Sequence, residues 1–197
     1  MNIYFVGFDD YETLDLMGPV EFLARLPDVQ LHYISLNGGW ITSRQGFCIQ
    51  TETCGRLPPN SILVIPGGQG TRLLVNHCAF LAWLTKLIDD ARFCLSICTG
   101  AALVAATSRL NGKTATSNKA AFQWVKQTNN QVNWQQAARW VRDGKFYSSS
   151  GVSAGMDMVL GFIGDQYGES LATQIAIHTE YHWNQDPNKD DFAARYC

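Results

Sequence analysis

Three short runs of almost continuous apolar residues, 2–8, 61–65 and 93–97, each break off at a turn or a string of small residues, and helical spacing follows each of them. Runs of this length without polar alternation suit strands buried on both faces. Strands of that kind belong to parallel sheets, in which helices cover both sides.

The order of the remaining segments fits that plan. Residues 2–8 form the first strand, residues 14–18 a loop, and a helix follows in which Pro19 fits the first turn better than the interior. Asp15 then lies where the chain crosses from strand to helix. Residues 30–36 make a second strand ending at Asn37-Gly38, and residues 41–51 form a hairpin or edge strands. Residues 61–65 are the third core strand, with helices over 73–89, and residues 93–97 are the fourth. Helices are expected at 99–106, 120–126, 154–167 and from 171 to about 183, with a hairpin of residues 132–141 and 145–148 about Asp143-Gly144. The expected fold class is α/β: a three-layer α/β/α sandwich around a mostly parallel sheet. At 197 residues one domain spanning 1–197 is the simplest organisation.

Composition narrows the partners. A formal charge of −2 and an isoelectric point near 6.0 give no general attraction to nucleic acid or an anionic membrane. Residues 1–10 lack a basic flank, and their apolar run is too short for a signal or membrane-spanning segment, so a cytoplasmic location is expected. The six cysteines show no CxxC pair and no tight framework spacing, which predicts mostly reduced thiols.

Candidate chemistry concentrates in Ile97-Cys98-Thr99-Gly100-Ala101. A cysteine at a sharp strand-to-helix turn is pushed out of the sheet, and the small residues after it permit the turn and leave backbone N–H groups near the sulfur. Cys98 is the candidate nucleophile, with the following helix expected to favour its thiolate. A buried, inert cysteine ending a strand is the competing reading. In sheets of this type the site lies beyond the carboxyl ends of the strands, where strand order reverses. Asp15, Gly67-Gly68 and Cys98 all leave carboxyl ends, so they converge on one rim.

Each neighbour has two readings. Gly67 and Gly68 either let backbone N–H groups form an oxyanion hole with Thr99 or serve a turn needing positive φ. No complete G-x-G-x-x-G pattern or Walker lysine accompanies them, which argues against a nucleotide. Asp15 is costly in its apolar context unless it has partners or is protonated; it is either an acid/base next to Cys98 or a helix cap. Of the four histidines none lies in a rim loop, and His178 with His182 on the last helix lacks a third ligand, so no metal or other cofactor is expected. Tyr4, Phe5, Phe8, Trp83, Trp124, Trp134, Trp140, Phe162 and Trp183 are assigned to core packing, and Lys113 and Lys119 to solvent.

Four ordered motifs carry a resemblance: Leu14-Asp15-Leu16-Met17-Gly18-Pro19-Val20-Glu21, Leu63-Val64-Ile65-Pro66-Gly67-Gly68, Ile97-Cys98-Thr99-Gly100-Ala101, and Ser149-Ser150-Gly151-Val152-Ser153-Ala154-Gly155-Met156-Asp157. In these the chain resembles the ThiJ/PfpI superfamily, relatives of class I glutamine amidotransferases. The resemblance implies a flavodoxin-like sandwich, a reactive Cys98, an acid at Asp15, and a homodimer with the site near its interface. Cys98-Thr99-Gly100, in place of Cys-His, is similar to the isonitrile hydratase branch and to amidase-like domains of AraC-type regulators. A Thr-His-Trp-like segment of many relatives is replaced by Thr116-Ser117-Asn118-Lys119, so the triad histidine is missing. The implied activity is that of a hydro-lyase hydrating a small-molecule isonitrile, with Cys98 as nucleophile, Asp15 as acid/base and Thr99 holding the water or the polarised group. Glyoxalase, deglycase or amidase chemistry through the same thiol and a noncatalytic redox-responsive dimer remain the alternatives.

Overall fold

The computed structural model describes residues 1–196. Its centre is an eight-stranded sheet in the order β3-β4-β2-β1-β5-β6-β10-β9. The strands are β1 (Asn2–Val6), β2 (Gln30–Ser35), β3 (Gly39–Thr42), β4 (Cys48–Thr53), β5 (Ile62–Ile65), β6 (Phe93–Ser96), β9 (Trp140–Asp143) and β10 (Phe146–Ser149), while β7 (Thr114–Ala115) and β8 (Asn133–Trp134) form a separate parallel pair. All pairings in the large sheet are parallel except β3 with β4 and β10 with β9. Strand β5 is buried along its whole length, which is why its sequence reads as an apolar run without alternation, and β10 is equally buried although it ends in Ser148 and Ser149.

Helices cover both faces. On one, α6 (Ala154–Tyr167) packs between α1 (Thr13–Leu23) and α7 (Glu169–His178). On the other, α4 (Gly100–Ala106) packs against α2 (Thr71–Leu74), α3 (Cys78–Asp90) and α5 (Phe122–Thr128). This is the expected three-layer α/β/α sandwich. From β1 the chain moves outward to β2 and then returns to place β5 on the other side of β1, so strand order reverses between β1 and β5. The crevice at their carboxyl ends is where a ligand site belongs. No helix among the described residues is long and apolar enough to cross a membrane.

Several local expectations are corrected. Residues 14–18 are helical: α1 begins at Thr13, and Pro19 lies inside it. A proline in a helix interior costs about 3 kcal/mol, and burial of Leu16, Phe22 and Leu23 in the core offsets it. Asp15 therefore sits in the first helical turn, and its carbonyl lacks the N–H that residue 19 ordinarily donates. Residues 135–139 leave the sheet instead of extending a hairpin arm. Lys119 Nζ bonds the Ala138 carbonyl and Thr116 Oγ1 donates to the Gln135 carbonyl, so side chains capture the segment. Lys119 is buried, not solvated, and burial lowers its pKa to about 8. Lys113 is half-buried and pairs with Asp143 at 3.3 Å.

Helix α7 ends at His178, so His182 lies beyond it and the two histidines do not share a helical face. The chain turns away because Asp157 on α6 accepts from Tyr181 Oη at 3.0 Å and Asn184 N at 2.9 Å. The following tail packs on its own chain. Pro187 O accepts from Arg139 N at 2.8 Å, and Asp190 N donates to Ala137 O at 2.8 Å. Buried Arg139 joins both anchors, with Nε donating to Asp157 Oδ2 at 2.7 Å and Nη1 3.6 Å from Asp190. Removing one member strands the others without compensation. Arg139→Leu should cost about 3–5 kcal/mol, measured as the loss of unfolding free energy in urea at pH 7.

Candidate active site

Cys98 follows β6 with φ +55°, a left-handed conformation that a non-glycine residue adopts only when its surroundings impose it. The imposition is visible. Cys98 N donates to Ser150 O at 3.2 Å, and its own carbonyl accepts the Ser117 hydroxyl at 2.7 Å. The turn presents the thiol to a cavity of about 520 Å³ while leaving the residue only 6% exposed. A larger cavity, about 750 Å³, lies elsewhere around Trp140, Trp183 and Pro187, and among the described residues no cysteine, histidine or lysine lines it.

Asp15 reaches the thiol from α1. Its carboxyl is fully buried; Oδ2 accepts from Gly67 N at 2.9 Å, and Oδ1 has no conventional donor. Burial is the main reason that its pKa rises to about 7, and the nearby Glu12 charge adds to the rise. The Gly67 N–H and the Cys98 thiol pull it back down by bonding the carboxylate.

Cys98 is raised far above an ordinary thiol, first by burial and then by the Asp15 charge. The backbone N–H groups of Val152 and Thr99 bond the sulfur and lower its pKa, without overcoming those effects. The helix start and its N–H groups expected to favour a thiolate are present, and burial with the Asp15 charge acts against them by raising the pKa of the sulfur. Thiol and carboxyl form a coupled pair that titrates together. Val152 itself holds φ +42°, a rare conformation for a β-branched residue, so the second N–H donor is also set by a constrained backbone.

The structure brings Gly67, Gly68 and Thr99 to the same place with different tasks from those expected. Gly67 N–H is engaged by Asp15, and Gly68 N–H by Thr99 Oγ1 at 3.0 Å. Neither is left open as an oxyanion donor. The Thr99 hydroxyl is likewise occupied, contacting Thr71 Oγ1 at 3.2 Å. These residues position the pair instead. A Cβ on Gly67 would lie 2.6 Å from Thr99 N and 2.8 Å from Asp15 Oδ2. Gly68, at φ +134°, would meet the Asp10 carbonyl at 2.4 Å. Gly67→Ala should therefore displace Asp15 from Cys98 and reduce turnover by about 100-fold with the fold retained by circular dichroism.

Asn118, from the Thr116-Ser117-Asn118-Lys119 segment, and Gln69, after the Gly67-Gly68 turn, line the cavity, and sequence reasoning did not find three further polar residues of its wall: Glu12, Arg44 and Arg72. No motif marks them, because they come from separate loops and α2. Among the described residues no histidine lines the cavity, and no cluster of three or more His, Cys, Asp or Glu is arranged to hold a metal.

Comparison with known proteins agrees with this architecture. The DJ-1/PfpI family matches residues 1–164. An isonitrile hydratase of Pseudomonas putida is 31% identical over 92% of this chain and 78% of its own length. An HTH-type transcriptional regulator of Pseudomonas aeruginosa is 26% identical over 84% of this chain, which spans 50% of the regulator. Among solved structures, a ThiJ/PfpI family protein from Pseudomonas syringae superposes with a TM-score of 0.82 at 24% identity, over 93% of this chain and 76% of that one. On the family match and the similarity to the hydratase, this chain belongs to the DJ-1/PfpI family.

Proposed function

We propose that the protein hydrates an isonitrile to an N-substituted formamide. The observation that carries the reading is the buried Cys98–Asp15 pair with no histidine at the cavity, beside a 31% identical relative that is an isonitrile hydratase. Such a pair suits a substrate whose single carbon first takes a sulfur and a proton and then a water.

Asp15, as carboxylate, takes the Cys98 proton while the sulfur bonds to the terminal carbon of R–N≡C. The same proton passes to that carbon, giving the thioimidate Cys98–S–CH=N–R. Water then adds to the carbon as the nitrogen is protonated. The C–S bond breaks, the hydroxyl proton returns through Asp15 to sulfur, and R–NH–CHO leaves. The Val152 and Thr99 N–H groups lower the cost of negative charge on sulfur in both steps. The role expected of Thr99 rests on its N–H, since its hydroxyl is occupied by the Gly68 loop.

A redox-responsive role draws on an exposed thiolate, whereas Cys98 is buried and that burial raises its pKa. A homodimer in a cytoplasmic setting belongs to the same proposal. Exposed Trp40 and Phe47 on the edge hairpin support self-association, and sedimentation should give twice the 21.9 kDa chain mass.

The decisive assay incubates wild type and Cys98→Ala with isonitriles and, in parallel, with 2-oxoaldehydes. Formamide from wild type alone supports the reading; turnover of 2-oxoaldehydes with inert isonitriles assigns the thiol to glyoxalase or deglycase chemistry. Because the base must be ionised, kcat/KM should fall as pH drops below about 7, approaching tenfold per pH unit. A flat profile from pH 8 to 5 would remove Asp15 as the base.

A further inference from the structure

Arg72 is the feature of the cavity that this chemistry leaves unused. It starts on α2, lines the same cavity as Cys98, and is half-buried. Its guanidinium lies 3.9 Å from the centre of the Trp124 ring, and Nη1 donates to Thr71 Oγ1 at 3.3 Å. Among the described residues no carboxylate pairs with it. Glu12, the acid in the cavity wall, is engaged by Gln45 Nε2 at 2.7 Å. A second guanidinium, Arg44, lines the opening and is 61% exposed, 3.9 Å from Asp10.

An uncompensated, partly desolvated guanidinium is costly unless a ligand anion completes it, and a planar fork held against an aromatic face is already oriented to do so. We propose that Arg72, with Arg44 at the rim, is a subsite for a carboxylate, so that the substrate is an isonitrile whose N-substituent carries a carboxylate group. The electrophile rests on the hydration reading above; the anion subsite does not. A neutral aryl or alkyl isonitrile leaves Arg72 uncompensated, whereas the carboxylate fills the cavity next to the reacting sulfur.

Two probes separate the claims. Iodoacetate and iodoacetamide alkylate a thiol alike and differ in charge, so their rate ratio at Cys98, read by peptide mass spectrometry, reports the subsite without any turnover. Relative to 2-mercaptoethanol, wild type should favour iodoacetate by about tenfold or more. Arg72→Gln should return the ratio to that of the free thiol, and Arg72→Lys should keep part of it. A wild-type ratio equal to that of 2-mercaptoethanol overturns the subsite. An equal slowing of both reagents in Arg72→Gln also overturns it, by assigning the arginine to the sulfur. Turnover of isocyanoacetate against its methyl ester then tests the substrate class. KM for the acid should rise in Arg72→Gln while KM for the ester holds, and equal KM values in wild type contradict it. Failure of both isonitriles with an intact alkylation ratio sinks the hydration reading alone.

Discussion

Asp15→Asn should lose about 100-fold or more in isonitrile turnover and, at pH 8, be more stable than wild type. The side chain has no exposure, and its pKa is raised from 3.8 to about 7. Because the folded value lies above the unfolded one, the native state holds its proton more tightly. Its contribution is fully present below about pH 4 and is lost as pH rises through about 7. Above that, the buried carboxylate costs the fold up to about 4 kcal/mol. Asparagine never ionises, so urea unfolding should show a gain of about 2–4 kcal/mol at pH 8 and little difference at pH 4. The same gain at both values would refute burial of charge as its cause. A residue that weakens the fold at working pH is the expected signature of a group kept for chemistry.

Cys98→Ala should abolish turnover, by about a thousandfold or more, while leaving the fold in place. The Ser150 carbonyl and the Ser117 hydroxyl hold the backbone at residue 98, and alanine makes the same two bonds. Loss of the thiol also removes a hydrogen bond that lowers the Asp15 pKa. Asp15 should then titrate above its wild-type value, as followed by carboxyl chemical shifts. An unchanged value would mean that the two groups do not share a proton.

What could be read from the sequence and what could not divides along physical lines. Strands β1, β5 and β6 and helix α6 follow from local pattern, because burial on both faces or along one stripe leaves its mark in consecutive residues. The convergence of Asp15, Gly67 and Cys98 followed from topology, since each leaves a carboxyl end near the reversal of strand order. Features set by distant partners left no local trace. Pro19 reads as a helix start, yet packing carries the helix through it. Lys119 reads as a surface lysine, yet the Ala138 carbonyl and Thr116 receive it in the interior. Arg72 becomes notable only once α5 brings Trp124 beneath it. The same holds for the state of the thiol: a helix start favours thiolate, and only the structure shows that burial and Asp15 outweigh it.

The central claim is that Cys98 bonds to the isonitrile carbon with Asp15 carrying the proton. An acid quench of the wild-type reaction with an aryl isonitrile during turnover, followed by intact-protein and peptide mass spectrometry, tests it most directly. The account predicts an added mass of one isonitrile, confined to the peptide holding Cys98, that disappears when substrate is exhausted and is absent from Cys98→Ala, which forms no formamide. Formamide produced by Cys98→Ala at the wild-type rate, with no adduct on the wild-type cysteine, would contradict it.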